Sequence, residues 1–80
     1  MNRPVKVLVV DDSAFYRRLL VDILKADPEI QVAGFARNGR EALEKVAALK
    51  PAVVTLDLEM PLMDGLETIR ALMAGNPVAV

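Results

Sequence analysis

The sequence predicts an α/β fold: a parallel sheet built from alternating elements in the order β-α-β-α-β-α-β. Three observations predict it. Val5-Lys6-Val7-Leu8-Val9-Val10 and Ala52-Val53-Val54-Thr55-Leu56 are near-continuous apolar runs, the pattern of strands buried on both faces of a parallel sheet. Between such runs lie segments with helical apolar spacing. Strands alternating with helices of this length imply β-α-β units with right-handed crossovers.

The first strand is expected at Val5 to Val10. Ser13 is a good N-cap for the helix after it. In that helix Phe15, Leu19, Leu20, Ile23 and Leu24 recur at helical spacing, with Arg17, Arg18, Asp22 and Lys25 largely opposite. Asp27-Pro28 ends it, because proline disfavours helical backbone in the residue before it. Ile30 to Phe35 reads as the second strand. Asn38-Gly39 turns the chain, and Asn38 with Glu41 three residues on follows the logic of a capping box. Ala42, Leu43, Val46 and Leu49 form the apolar stripe of the second helix, which Lys50-Pro51 stops. Ala52 to Leu56 is the third strand, and Met60-Pro61-Leu62-Met63 a loop. Asp64 can cap a third helix with Glu67 at its third position and Leu66, Ile69, Leu72 and Met73 on its buried face. Gly75-Asn76-Pro77 is a turn, and Val78-Ala79-Val80 begins a fourth strand.

Composition narrows the chemistry. The chain has 80 residues, room for one domain at most, and burial at this size is marginal. Its 54% hydrophobic content is too high for a disordered tail. A net charge of −1 gives no electrostatic footprint for nucleic acid. Arg17-Arg18 is the only adjacent basic pair and reads as a solvated helix face. With no cysteine and no histidine, disulfides, thiolate metal sites and imidazole chemistry are excluded. No apolar run approaches the ~20 residues that span a bilayer, and the N-terminus lacks the features of a signal peptide. A soluble, cytoplasmic protein without membrane or nucleic-acid partners is the expectation.

Both apolar runs end in acids: the first in Asp11-Asp12, the later one in Asp57. In open α/β sheets ligands bind beyond the carboxyl ends of the strands. If these strands are neighbours, three carboxylates converge there. Crowded carboxylates repel, and a hard divalent cation of the Mg²⁺ type relieves the repulsion. The plainer readings are a helix cap for Asp11 or Asp12 and a solvated loop acid for Asp57. Two adjacent acids and a third after a matching strand favour the pocket. Rival phosphate motifs are absent: there is no G-x-x-x-x-G-K-[ST] loop and no G-x-G-x-x-G. An Asp-x-Asp pair would need Asp where the chain has Glu59.

Val7-Leu8-Val9-Val10-Asp11-Asp12-Ser13 and Leu56-Asp57-Leu58-Glu59-Met60-Pro61-Leu62-Met63-Asp64-Gly65 resemble the receiver domain of two-component response regulators. The likeness runs from about Val5 to Val80. Thr55 to Pro61, Asp12-Ser13-Ala14-Phe15 and Asp64-Gly65-Leu66-Glu67-Thr68 look most like the regulatory domain of the chemotaxis protein-glutamate methylesterase. The resemblance implies a flavodoxin-like sheet with strand order 2-1-3-4. It implies that Asp57 accepts a phosphoryl group from a histidine kinase. Asp11 or Asp12 would bind Mg²⁺ directly and the other directly or through water, with Asp57 and the backbone carbonyl of Glu59 as further ligands. Met60-Pro61 and Gly65 read as structural, proline fixing the loop backbone.

By the same resemblance residues 1–80 are an incomplete receiver. The end of strand 4, helix 4, strand 5 and helix 5 are missing, with the family's later hydroxyl residue and lysine. Impaired phosphorylation is the expectation, as is self-association, most simply a two-fold dimer, through surface that the missing elements leave bare. In the parent protein the domain would gate a methylesterase effector domain. That activity cannot reside here, because a Ser/His/Asp triad needs a histidine. The alternatives are an inactive assembly fragment of the fold and the receiver of a transcription regulator.

Overall fold

A computed structural model of the chain describes residues 3–57, 65–75 and 79–80. Its elements are β1 (Val5–Val10), α1 (Ala14–Lys25), β2 (Ile30–Ala36), α2 (Gly39–Leu49), β3 (Val53–Leu56) and α3 (Gly65–Gly75). The three strands form a parallel sheet in the order β2-β1-β3. This is the flavodoxin-like order expected from sequence. The fourth strand is represented among the described residues by one parallel bridge from Ala79 to Val53. There the Val54 N–H donates to the Ala79 carbonyl at 2.8 Å, so the chain arrives on the β3 side of the sheet, and among the described residues β2 is an edge strand.

The topology decides which helix covers which face. The step from β1 to β2 moves one way across the sheet, and the step from β2 to β3 returns over β1. With right-handed crossovers, α1 and α2 fall on opposite faces. Side chains alternate along β1, so Leu8 and Val10 join one face and Val7 and Val9 the other. All four are buried. Leu8 and Val10 pack with Ala36, Ala42, Val46, Val54 and Leu72 into the main core.

Local chemistry sets the ends. Ser13 caps α1, its hydroxyl accepting from the Tyr16 N–H at 3.3 Å. Asn38 caps α2, accepting from the Glu41 N–H at 2.9 Å. The expected capping box is shifted by one residue: Glu41 accepts from the Arg37 N–H at 3.1 Å and from the Arg37 guanidinium at 2.8 Å. That guanidinium holds the Glu41 carboxyl below its usual range, the side-chain hydrogen bond being the main cause. Lys50 closes α2 in the left-handed region at φ 51°, its N–H donating to the Val46 carbonyl. β2 carries a register shift opposite Val7 and Leu8, an extra residue of the kind that increases local twist.

Two helix faces differ from expectation. On α1, Phe15, Leu19 and Ile23 point outward, and Leu20, Val21 and Leu24 are half-buried instead. The helix packs on β1 and β2, so a stripe wider than that contact leaves one edge outside. On α3, Leu66 and Met73 are exposed, whereas Leu72 and the unpredicted Thr68 are buried. Leu72 joins the core cluster and Thr68 lies one turn before it, so the buried face of α3 is rotated towards Thr68 and away from Leu66 and Met73. The expected Met60–Met63 loop, the Asp64 cap and Val78 lie outside the described residues.

Candidate functional site

The site grows directly from strand register. Val10 is the partner of Leu56 in the β1–β3 ladder, so the next residue on each strand is an acid. The Asp57 N–H donates to the Val10 carbonyl at 3.1 Å, and the Asp11 N–H to the Ala36 carbonyl at 3.1 Å. Asp11 is thereby tied to β2 on one side while Asp57 is tied to β1.

Asp11 then turns the chain. Its Oδ1 accepts from the Ser13 N–H at 2.9 Å, and its carbonyl accepts from Arg17 Nη1 at 3.0 Å. The plainer reading of Asp11 as the helix cap is not what the structure has, since Ser13 caps α1; one Asp11 oxygen serves the turn before it. Asp11 and Asp57 are half-buried and Asp12 is exposed. One carboxylate oxygen from each of the three lies within 4.8 Å of the others.

This donor set fits a hard divalent cation. All three groups are carboxylates, the ligand class that Mg²⁺ prefers. Oxygens on one octahedral Mg²⁺ are about 3.0 Å apart when adjacent and about 4.2 Å when opposite, so the three carboxylates would have to draw together to share an ion. Asp11, Asp12 and Asp57, picked out from sequence, are brought together. Glu59, whose backbone carbonyl was the fourth expected ligand, lies outside the described residues.

Arg17 was missed. Only half of the solvated Arg17-Arg18 reading holds: Arg18 is exposed and pairs with Asp22 at 3.5 Å, while Arg17 is half-buried and reaches back to Asp11. The signal was its place four residues after the Ser13 cap, on the turn of α1 facing the loop.

The response regulator receiver domain family matches residues 7–80. The chain is 79% identical over 80 residues to the protein-glutamate methylesterase/protein-glutamine glutaminase of Moorella thermoacetica, covering 100% of this chain and 19% of that protein. It is 60% identical over 78 residues to its counterpart from Geobacillus kaustophilus, covering 98% and 22%. The chain thus spans a minor part of the curated relatives it matches. The crystal structure of the response regulator domain of Thermotoga maritima CheB superposes with a TM-score of 0.92 at 49% identity, over 95% of this chain and 57% of that one. The CheX-CheY-BeF3-Mg+2 complex from Borrelia burgdorferi superposes with a TM-score of 0.86 at 33% identity, over 92% and 56%.

Proposed function

The chain belongs to the response regulator receiver family, and on that premise we propose that Asp57 accepts a phosphoryl group from a histidine kinase. The observation carrying this reading is the meeting of Asp11, Asp12 and Asp57 within 4.8 Å at one end of the sheet. A carboxylate is a competent nucleophile for making an aspartyl-phosphate. A bond forms between an Asp57 oxygen and phosphorus. The bond from phosphorus to the donor's histidine nitrogen breaks, and its electron pair stays on that nitrogen, which takes up a proton.

Asp11 and Asp12, with Asp57 and the Glu59 carbonyl, would hold Mg²⁺. When bound, the ion neutralises charge on the transferring phosphoryl oxygens. The chain's own contribution is placement: Asp57 is fixed by the β3 register and Asp11 by its bonds to Ala36 and Ser13.

The likeness to methylesterases supports a place in chemotaxis signalling, with the receiver gating an effector domain outside these residues. No described helix is long and apolar enough to cross a membrane, which agrees with a cytoplasmic role. Phe15, Tyr16, Leu19 and Ile23 are 71%, 61%, 47% and 60% exposed along α1. A stripe of this kind supports self-association of the isolated chain. Ile23→Glu should shift sedimentation towards monomer; a wild type already monomeric at high micromolar concentration removes this part.

The test of the main reading is chemical. Incubation with a small phosphoryl donor and Mg²⁺ should produce an acid-stable, base-labile phosphoryl adduct on Asp57, absent from Asp57→Asn. An adduct that persists in Asp57→Asn would overturn the assignment.

A further inference from the structure

Arg17 joins two places that sequence does not connect. Its Nη1 donates to the Asp11 carbonyl at 3.0 Å, and its guanidinium carbon lies 4.9 Å from the centre of the Phe35 ring. Phe35 belongs to the edge strand β2 and is half exposed. Arg17 is also locked at its root, its N–H donating to the Ser13 carbonyl at 2.9 Å. We propose that Arg17 is a positioning residue for the acidic pocket: seated on Phe35, it pins the peptide between Asp11 and Asp12.

A peptide unit is planar, so fixing the Asp11 carbonyl also fixes the direction of the Asp12 N–H and the path into Asp12. The Asp11 N–H is already held by Ala36 and its Oδ1 by the Ser13 N–H. The bond from Arg17 adds a third restraint, on the link leading to Asp12. Asp12 is the exposed member of the trio, so its placement depends most on the backbone beneath it. A guanidinium suits the task because it stacks on an aromatic face while its fork still donates. The flat seat holds the donor on the carbonyl.

The inference rests on the reading of the three acids as a cation site, and it predicts a sign. By charge alone, a nearby arginine repels Mg²⁺, and removing it should tighten binding. By positioning, removing it should weaken binding, and partners of this kind are typically worth about tenfold or more in metal affinity.

The experiment is Mg²⁺ titration of wild type, Arg17→Ala, Arg17→Lys, Phe35→Leu and Arg18→Ala, followed by backbone amide NMR. Arg17→Ala is expected to bind about tenfold more weakly, with Arg17→Lys and Phe35→Leu in between. Arg18→Ala should be unchanged or slightly tighter. Without metal, the Asp12 and Ser13 amides should lose order in Arg17→Ala while the β1 amides do not. Unchanged or tighter binding in a folded Arg17→Ala overturns the inference and leaves the cation site intact. If Arg17→Ala does not fold, equal affinity in Arg17→Lys, Phe35→Leu and wild type overturns it. A wild type that binds no Mg²⁺ overturns the cation site and this inference with it.

Discussion

Asp57→Asn should stabilise the metal-free chain and destabilise it relative to wild type once Mg²⁺ is present. The three carboxylates offer oxygens within 4.8 Å of one another. Two unit charges at that distance repel by about 0.9 kcal/mol in a water-like dielectric and about 3.5 kcal/mol at an effective value near 20. Asp12 is exposed and the other two half-buried, so the lower figure is the better guide. The separation is shorter than the ~8 Å Debye length at physiological salt, so screening does not remove the effect. Asparagine takes away two of the three repelling pairs, a gain of about 1–2 kcal/mol. In a domain of this size that is a Tm rise of about 4–16 °C. Mg²⁺ at a hundredfold over Kd adds about 2.7 kcal/mol to a protein that binds it. The order of the two proteins should therefore reverse. Thermal unfolding at fixed protein concentration, with and without Mg²⁺, measures both halves. An Asp57→Asn protein less stable than wild type without metal would refute the claim that repulsion dominates the pocket.

Other perturbations test the scaffold. Leu72 is 1% exposed and joins α3 to the core, so Leu72→Ala should cost about 2–5 kcal/mol in chemical denaturation. Asn38→Ala removes the bond to the Glu41 N–H and should cost about 1 kcal/mol, with faster amide exchange in the first turn of α2. The Glu41 carboxyl is held below its ordinary range by Arg37, so its contribution is present above about pH 4.3 and is lost as pH falls through its lower folded-state value. The stability gap between wild type and Glu41→Gln should accordingly close on acidification below about pH 4.3; a gap that stays constant would contradict it.

The fold was legible where the pattern was strongest. β1 was read to its end residues, because a buried parallel strand leaves an uninterrupted apolar run. Ser13 and Asn38 were legible because caps follow side-chain chemistry within a few residues. The acidic trio was legible because Asp11 and Asp57 directly follow strands, Asp12 follows Asp11, and the two strands are neighbours. What stayed hidden depends on packing rather than period. The stripe on α1 was read correctly, but which edge of it meets the sheet is fixed by how β1 and β2 lie beneath it, so Phe15, Leu19 and Ile23 came out exposed. Thr68 is buried because it stands one turn before Leu72 on the face of α3 that meets the core, a place its hydroxyl does not advertise. Arg17 resembles Arg18 in sequence, yet it is half-buried over Phe35 and points back at the loop while Arg18 is exposed.

The central claim is that three acids form one cation-dependent acceptor pocket. The most direct measurement is Mg²⁺ titration with and without beryllofluoride, a phosphoryl mimic, read by backbone amide NMR on wild type and Asp57→Asn. The account predicts Mg²⁺ shifts centred on Asp11, Asp12 and Asp57, with further beryllofluoride shifts that vanish in Asp57→Asn. A folded wild type that shows no localised shift, or beryllofluoride shifts that survive in Asp57→Asn, would contradict it.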